Sequence, residues 1–178
     1  RMDIKVLPPD VNESIGAFNA IGSDIRFGLG AVRNVGANVV EGIKQAREEK
    51  GRFTSFHDFL RKVPAQVCTK RVVESLIKAG AFDAFGHTRR ALLEIHEEAV
   101  ESQTSLKKSE AVGQVDLFGG LFGDAGGIDT PIPDRAEWPK KELLALEREM
   151  LGLYVSDHPL AGREAQLARY AEYSIDEL

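Results

Sequence analysis

Leu29-Gly30-Ala31-Val32-Arg33-Asn34-Val35-Gly36-Ala37-Asn38-Val39-Val40-Glu41-Gly42-Ile43 is the stretch that decides the fold. Leu29, Val32 and Val35 recur three apart, Gly36 breaks the run, and Val40 and Ile43 resume it beyond the break. This spacing predicts two short apolar helices joined by a tight turn, a helix-hairpin-helix pattern. Asn34 is among the few non-glycine residues that tolerate the left-handed backbone region, and Gly36 permits close approach to the main chain. The amides of Val35, Gly36, Ala37 and Asn38 would then face outward together at the start of the second helix. Such amides lack partners within the helix and sit at the positive end of its dipole. A phosphate fits there. Backbone donors that meet a backbone phosphate carry no base information, so duplex DNA would be held without regard to sequence. Arg26 and Arg33 add to the attraction, with no acidic residue between positions 25 and 40. Spacing alone is shared equally by an ordinary helical hairpin buried in a core.

A second stretch repeats the plan. Val72-Val73-Glu74-Ser75-Leu76-Ile77-Lys78-Ala79-Gly80-Ala81-Phe82-Asp83 leads, after a short gap, to Arg89-Arg90-Ala91-Leu92-Leu93. The copy is imperfect. Gly80 takes the first turn position, but Phe82 or Asp83 stands where another glycine would open the backbone to a ligand. The first hairpin is therefore expected to grip DNA, and the second to be mostly structural. Between positions 67 and 94 the charge is only slightly basic: Lys70, Arg71, Lys78, Arg89 and Arg90 oppose Glu74, Asp83 and Glu94.

Composition bounds the possibilities. A chain of 178 residues with 43% hydrophobic content can bury a real core and fits one domain with appendages better than two full domains. Its net charge of −5 argues against a surface coated in DNA-binding charge and for a local phosphate site of modest affinity. The single cysteine, Cys68, excludes an internal disulfide framework and suits a cytoplasmic protein, where it reads most simply as a small buried apolar residue. No signal peptide and no apolar run long enough to cross a membrane is present, so no membrane partner is expected.

Along the chain, Arg1 opens without an initiation signature into an apolar run, as in a piece of a longer protein. Ile4 to Leu7 reads as a short strand stopped by Pro8-Pro9, and Ile25 to Leu29 as an extended piece entering the first hairpin. Thr54 or Ser55 caps a helix whose Phe56, Phe59 and Leu60 share a core face. A long helix is expected from Thr88 to about Val100, fading into the polar residues from Ser102 to Ser109. Glycines then dominate from Val112 to Pro133, the composition of a flexible linker. Within it, Gln114-Val115-Asp116-Leu117-Phe118 places two large apolar side chains where local burial is difficult. Leu117 and Phe118 either fold back on the helices or anchor the segment in a partner's pocket, with Gln114 as a polar hook. The segment resembles the peptide by which bacterial replication and repair proteins bind the ring-shaped sliding clamp. Pro139 and Gly152 bracket a helix from Lys140 to Leu151, striped by Leu143, Leu146 and Met150 and joined by Leu144 and Leu151. A last helix is expected around Arg163 to Tyr170.

Catalytic chemistry is not evident. No Asp-x-Asp pair offers clustered carboxylates for magnesium, and no Walker loop is present. His57, His87, His96 and His158 lack the spacing and the cysteine company of a zinc site. His158, before Pro159, reads as a turn or cap residue. Glu97-Glu98 and Glu147-Arg148-Glu149 read as solvated helix faces. Neither a catalytic residue nor a metal or other cofactor is expected in this chain.

Taken together, Val6 to Asn12, Ile25 to Leu29, Ala31 to Gly36, Leu76 to Asp83, Gln114 to Phe118, Leu151 to Tyr154 and His158 to Leu160 give the chain a resemblance. It is similar, over essentially its whole length and in the same order, to the catalytic alpha subunit of bacterial replicative DNA polymerase III. The resemblance implies a mainly α fold: a tandem helix-hairpin-helix domain with a short extended or β N-terminal segment, a flexible glycine-rich linker and C-terminal helices. It implies the end of the fingers at residues 1–24, the tandem domain at 25–111, a linker with a clamp-binding peptide at 112–136, and at 137–178 a helical segment leading to an OB-fold that this chain does not contain. Arg26, Arg33, Asn34, Val35, Gly36, Ala37 and Asn38 become the DNA-binding set, and Gln114, Asp116, Leu117 and Phe118 the contacts to the beta sliding clamp. Double-stranded DNA, the clamp and the rest of the polymerase III holoenzyme are the implied partners. The parent would be a magnesium-using DNA-directed DNA polymerase of chromosomal replication. Its palm with the catalytic aspartates is absent here, so this stretch is expected to be non-catalytic and to serve processivity by duplex binding and clamp tethering. A helix-hairpin-helix module of a repair nuclease or ligase shares the first hairpin but does not need Val6 to Asn12 or Leu151 to Leu160. An adaptor that binds the clamp and ignores DNA is the other alternative.

Overall fold

Phenylalanine edges packed on phenylalanine faces form the centre of the molecule. The computed structural model describes residues 3–112 and 129–157. Within it Phe27, Phe53, Phe56, Phe59 and Phe82 are buried. Ring centroids lie 4.9 Å apart for Phe53 and Phe59, 5.2 Å for Phe56 and Phe82, and 4.9 Å for Phe59 and Phe82, all edge to face. Aromatic pairs prefer this geometry because the positive ring edge meets the negative face.

Helices surround this cluster, with a small sheet at the N-terminal side. Strands β1 (Val6–Leu7), β2 (Asn19–Ile21) and β3 (Asp24–Arg26) pair in the order β1-β3-β2. Val6 lies opposite Ile25 in the parallel pair and Ala20 opposite Ile25 in the antiparallel one. Among the described residues five α-helices follow: α1 (Ala37–Lys50), α2 (Phe56–Lys62), α3 (Lys70–Ala79), α4 (Arg89–Ala111) and α5 (Lys140–Leu151). The fold is thus mainly α with a small N-terminal sheet. Helix α3 shows why the pattern works: Val72, Val73, Leu76 and Ile77 are buried on one face, the Thr69 hydroxyl accepts from the Val72 amide, and Gly80 ends the helix at φ 86°. Ser55 caps α2 by accepting from Asp58 N–H at 3.0 Å, and the Asp58 carboxylate accepts in return from Thr54 N–H at 2.9 Å. This reciprocal arrangement follows the logic of a capping box.

Several expectations are corrected. The boundary between 24 and 25 runs through the sheet, because β3 lies between β1 and β2. Residues before it also enter the shared core. Val11 is buried and its amide donates to Ala81 carbonyl at 3.1 Å. The Asn12 side chain bonds both main-chain groups of Phe53 at 2.9 Å. Helix α4 does not fade near Val100 but continues to Ala111. Its polar last turns have partners: Gln103 is buried, and Lys107 Nζ donates to Arg61 carbonyl at 2.7 Å.

Residues 129–136, expected to belong to a flexible linker, are fastened to the helices. Residues 129–138 form a strap across α2 and α4. Arg61 holds Asp129 at 2.7 Å. Arg135 makes a two-pronged bond to Glu94 at 2.8 and 2.9 Å, and Arg135 carbonyl accepts from the Thr88 hydroxyl at 2.9 Å. Composition alone did not show these partners, which lie 41 to 68 residues away in sequence. Helix α5 packs on α3 with Leu144, Met150 and Leu151 buried, Pro139 at its N-cap, and Gly152 left-handed at φ 78° at its end. The expected last helix at Arg163 to Tyr170, with His158, lies outside the described residues.

His57, on α2, faces the strap with Nδ1 4.0 Å from the Asp129 carboxylate. Burial pushes its imidazole below the ordinary 6.5, an effect that Asp129 and a hydrogen bond with the Thr130 backbone only partly offset. The unfolded chain therefore binds this proton more readily than the folded one, and stability must fall as pH drops below the unfolded value. The urea midpoint is expected to decrease between about pH 7.5 and about pH 5.5, and His57→Phe is expected to flatten that decrease.

Candidate nucleic-acid interface

The first arm of the first hairpin is a single 3-10 turn, Leu29–Ala31, rather than a helix. The turn goes no further because Arg33 N–H bonds Met150 carbonyl rather than Leu29 carbonyl, while the preceding loop anchors its start. Leu29 N–H donates to Ile15 carbonyl at 2.8 Å and Gly30 N–H to Gly16 carbonyl at 3.0 Å, so these amides hold the loop. The approach is so close that a Cβ on Gly28 would stand 2.5 Å from the Ala17 carbonyl carbon. Val32 is already extended, with φ −76° and ψ 131°.

At the turn itself Asn34 carries a φ of 68°, as its tolerance of the left-handed region predicts. Gly36 does not. It has φ −80° and ψ 171° and serves as the N-cap of α1. The position is open, since a Cβ there would meet nothing within 4 Å. Of the four amides expected to face a phosphate, that of Val35 is already bonded to Val32 carbonyl at 3.1 Å. Gly36, Ala37 and Asn38 remain exposed. The start of α1 has no side-chain cap and no acidic residue in its first turn.

The flanking arginines differ. Arg33 is exposed, while its amide donates to Met150 carbonyl at 2.8 Å and ties the turn to the end of α5. Arg26 is half-buried on β3, with Nη1 donating to Pro8 carbonyl at 3.0 Å. That engagement makes Arg26 a brace of the sheet, in addition to its charge. Arg71, which the sequence pattern counted only as charge, lines a shallow groove together with Asn34, Val35 and Gly36. Nothing in the spacing relates positions 34 and 71. Only the burial of Val72 and Val73 beside it indicates that Arg71 stands on the outer face of α3.

The second hairpin is closed. Arg89 fills the space beneath Gly80, so that a Cβ there would lie 2.4 Å from Arg89 Nη2. Its guanidinium donates through Nε and Nη2 to Asp83 at 3.1 and 2.8 Å, through Nη1 to Lys78 carbonyl at 3.2 Å, and lies 3.6 Å from Glu147. Burial opposes its charge, yet the Asp83, Glu147 and Glu137 carboxylates hold its pKa above the ordinary value. The start of α4 is capped twice over. Thr88 hydroxyl accepts from Ala91 N–H at 3.2 Å, and the Glu137 carboxylate accepts from Arg89 and Arg90 N–H at 2.7 and 3.2 Å. An anion of the chain itself thus occupies at α4 the kind of place left open at α1.

Glu147 corrects its reading as a solvated residue. It is 1% exposed and accepts from Val155 N–H, Ser156 N–H and the Ser156 hydroxyl.

The helix-hairpin-helix motif family matches residues 3–92. DNA polymerase III subunit alpha of Saccharopolyspora erythraea is 57% identical over 184 residues, covering 100% of this chain and 15% of that protein. The Mycobacterium leprae protein of the same name is 54% identical over 176 residues, 98% of this chain and 15% of the relative. That of Escherichia coli K12 is 35% identical over 171 residues, 96% of this chain and 15% of the relative. The chain belongs to the DNA polymerase III alpha subunit family. It spans about 15% of the length of these alpha subunits.

Among the described residues of this alpha-subunit chain, His, Cys, Asp and Glu side chains do not gather in threes as ligands of a metal would. No described helix is long and apolar enough to cross a membrane. Gln114, Asp116, Leu117 and Phe118 lie outside the described residues.

Removing Arg89 would leave Asp83 and the buried Glu147 without their cation. Arg89→Ala is expected to lower unfolding stability by about 3 kcal/mol or more, measured by urea denaturation.

Proposed function

We propose that this chain is the part of a replicative DNA polymerase that holds newly made duplex by its backbone and tethers the enzyme to the sliding clamp. The observation that carries the duplex half is the contrast between two helix starts. Helix α1 begins with the exposed residues Gly36, Ala37 and Asn38 and no cap, whereas α4 begins against Thr88 and Glu137. Free amides at a positive helix end suit a phosphate, and exposed Arg33 beside them supplies sequence-blind attraction. The chain's net charge of −5 confines this attraction to a local site and keeps the grip weak.

The clamp half rests on the resemblance of Gln114, Asp116, Leu117 and Phe118 to clamp-binding peptides. The flanks of that segment support it. Lys107 on α4 bonds Arg61 carbonyl at 2.7 Å and Asp129 bonds the Arg61 guanidinium at 2.7 Å, so residues on both sides of the segment are fastened to α2. A peptide fastened this way to a duplex-holding body converts two weak contacts into one strong one through effective concentration. The catalytic aspartates and their magnesium belong to other parts of the parent, which would work in the cytoplasm within the polymerase III holoenzyme. Membership in the alpha subunit family disfavours a module of a repair nuclease or ligase.

Fluorescence anisotropy on mixed-sequence duplex is expected to show binding that weakens as salt rises. Gly36→Pro, which removes one amide donor, should reduce affinity about tenfold, the value of one charge-assisted hydrogen bond. No binding at low salt would refute the duplex reading. Replacing Leu117 and Phe118 by alanine is expected to abolish binding to purified clamp and to leave duplex binding intact. Clamp binding that survives the double replacement would refute the tether.

A further inference from the structure

We propose that Arg71 is a phosphate ligand of this interface and that Asn34 aims it, so that the site is built from both hairpins rather than from the first alone. The inference rests on the duplex-holding reading above and adds a residue from a different helix to it.

A closed ring of hydrogen bonds carries the argument. Arg71 Nε–H donates to Asn34 Oδ1 at 3.1 Å, Asn34 Nδ2–H donates to Ser75 Oγ at 3.0 Å, and Ser75 Oγ–H donates to Arg71 carbonyl at 2.9 Å. Ser75 is 2% exposed, so the ring has a buried base. It fixes one edge of the guanidinium. The two Nη groups have no partner among the described residues, and the side chain stands in the groove it shares with Val35 and Gly36. The other cations of α3 are engaged: Lys70 pairs with Glu97 and Glu101, and Lys78 with Glu74 at 2.8 Å. The nearby Glu74 carboxylate is thereby neutralised, leaving Arg71 as the cation of this helix that faces the turn.

The chemistry suits a phosphodiester. A planar guanidinium offers a fork of donors that matches two phosphate oxygens, and a fork already pinned at Nε loses less freedom on binding. Asn34 has two roles here. Its φ of 68° demands asparagine or glycine, and its amide supplies both the acceptor for Arg71 and the donor for Ser75. Glycine would keep the turn and lose the aim. Asn34 is therefore a positioning residue, and Arg71 the ligand.

The test is anisotropy of the full 178-residue chain on mixed-sequence duplex across a salt series, with thermal melts to show that each variant is folded. Arg71→Ala is expected to reduce the slope of log affinity against log salt by about 0.9, the share of one phosphate contact, equally on unrelated sequences. Arg71→Lys should restore the slope but not the full affinity, because a point charge replaces the fork. Asn34→Gly should weaken binding in the native background and change little in the Arg71→Ala background. Ser75→Ala opens the same ring from its buried side and should behave alike. An unchanged slope in Arg71→Ala while Gly36→Pro weakens binding overturns the ligand assignment alone. Additive losses from Asn34→Gly and Arg71→Ala overturn the positioning role. Absence of duplex binding by the unsubstituted chain overturns this inference together with the reading beneath it.

Discussion

The buried guanidinium of Arg89 is the constraint around which the second half of the molecule is arranged. A cation removed from water demands compensation from every direction, since each unmet donor costs free energy. Asp83 meets it from the turn, Lys78 carbonyl from the end of α3, and Glu147 from α5. Glu147 in turn holds the backbone of Val155 and Ser156. One side chain thereby joins α3, its turn, α4 and α5. Arg89 fills the space beneath Gly80 and the first amides of α4 are taken by Thr88 and Glu137, so this turn has no free amides at its helix start to offer a phosphate.

The two hairpins share a plan and differ in what meets their helix starts. At α4 the strap delivers Glu137, an internal anion, to amides that would otherwise seek one. At α1 no comparable group arrives from the described residues, and the turn is instead steadied from outside its amide face. Arg33 N–H is fixed to Met150, and the Asn34 side chain to α3. A rigid turn with open donors is the arrangement that binds an oxyanion without first having to order itself.

Local rules made part of this legible in the sequence. Asn34 at positive φ, Ser55 and Thr88 as caps, and Gly80 and Gly152 as helix ends are all decided within a few residues. The apolar periodicity of α3 likewise gave its buried face. Contacts made across long stretches of chain were not legible. Gly36 looked like the bend, but the bend sits at Asn34, because a residue preceding a helix is extended and needs no left-handed φ. The charge of Glu147 suggested solvent, and only the return of the chain at Val155 and Ser156 gives that carboxylate a reason to be buried. The bond from Arg26 to Pro8 carbonyl, 18 residues away, was not visible in the charge pattern. The first arm failed as a helix because Arg33 N–H, which would continue it by bonding Leu29 carbonyl, is claimed by Met150 carbonyl.

The strap has a mechanical consequence. Tension applied to the chain at Asp129 is met first by Arg61, then by the two-pronged bond between Arg135 and Glu94, then by Glu137 on the first turn of α4. Each of these fastenings lies on α2 or α4 rather than on the Val35 to Asn38 turn. A pull from that side would be dissipated in the scaffold by stretching surface ion pairs one after another, while the turn at the start of α1 kept its shape. Such a pull would thus run apart from the turn proposed to hold duplex.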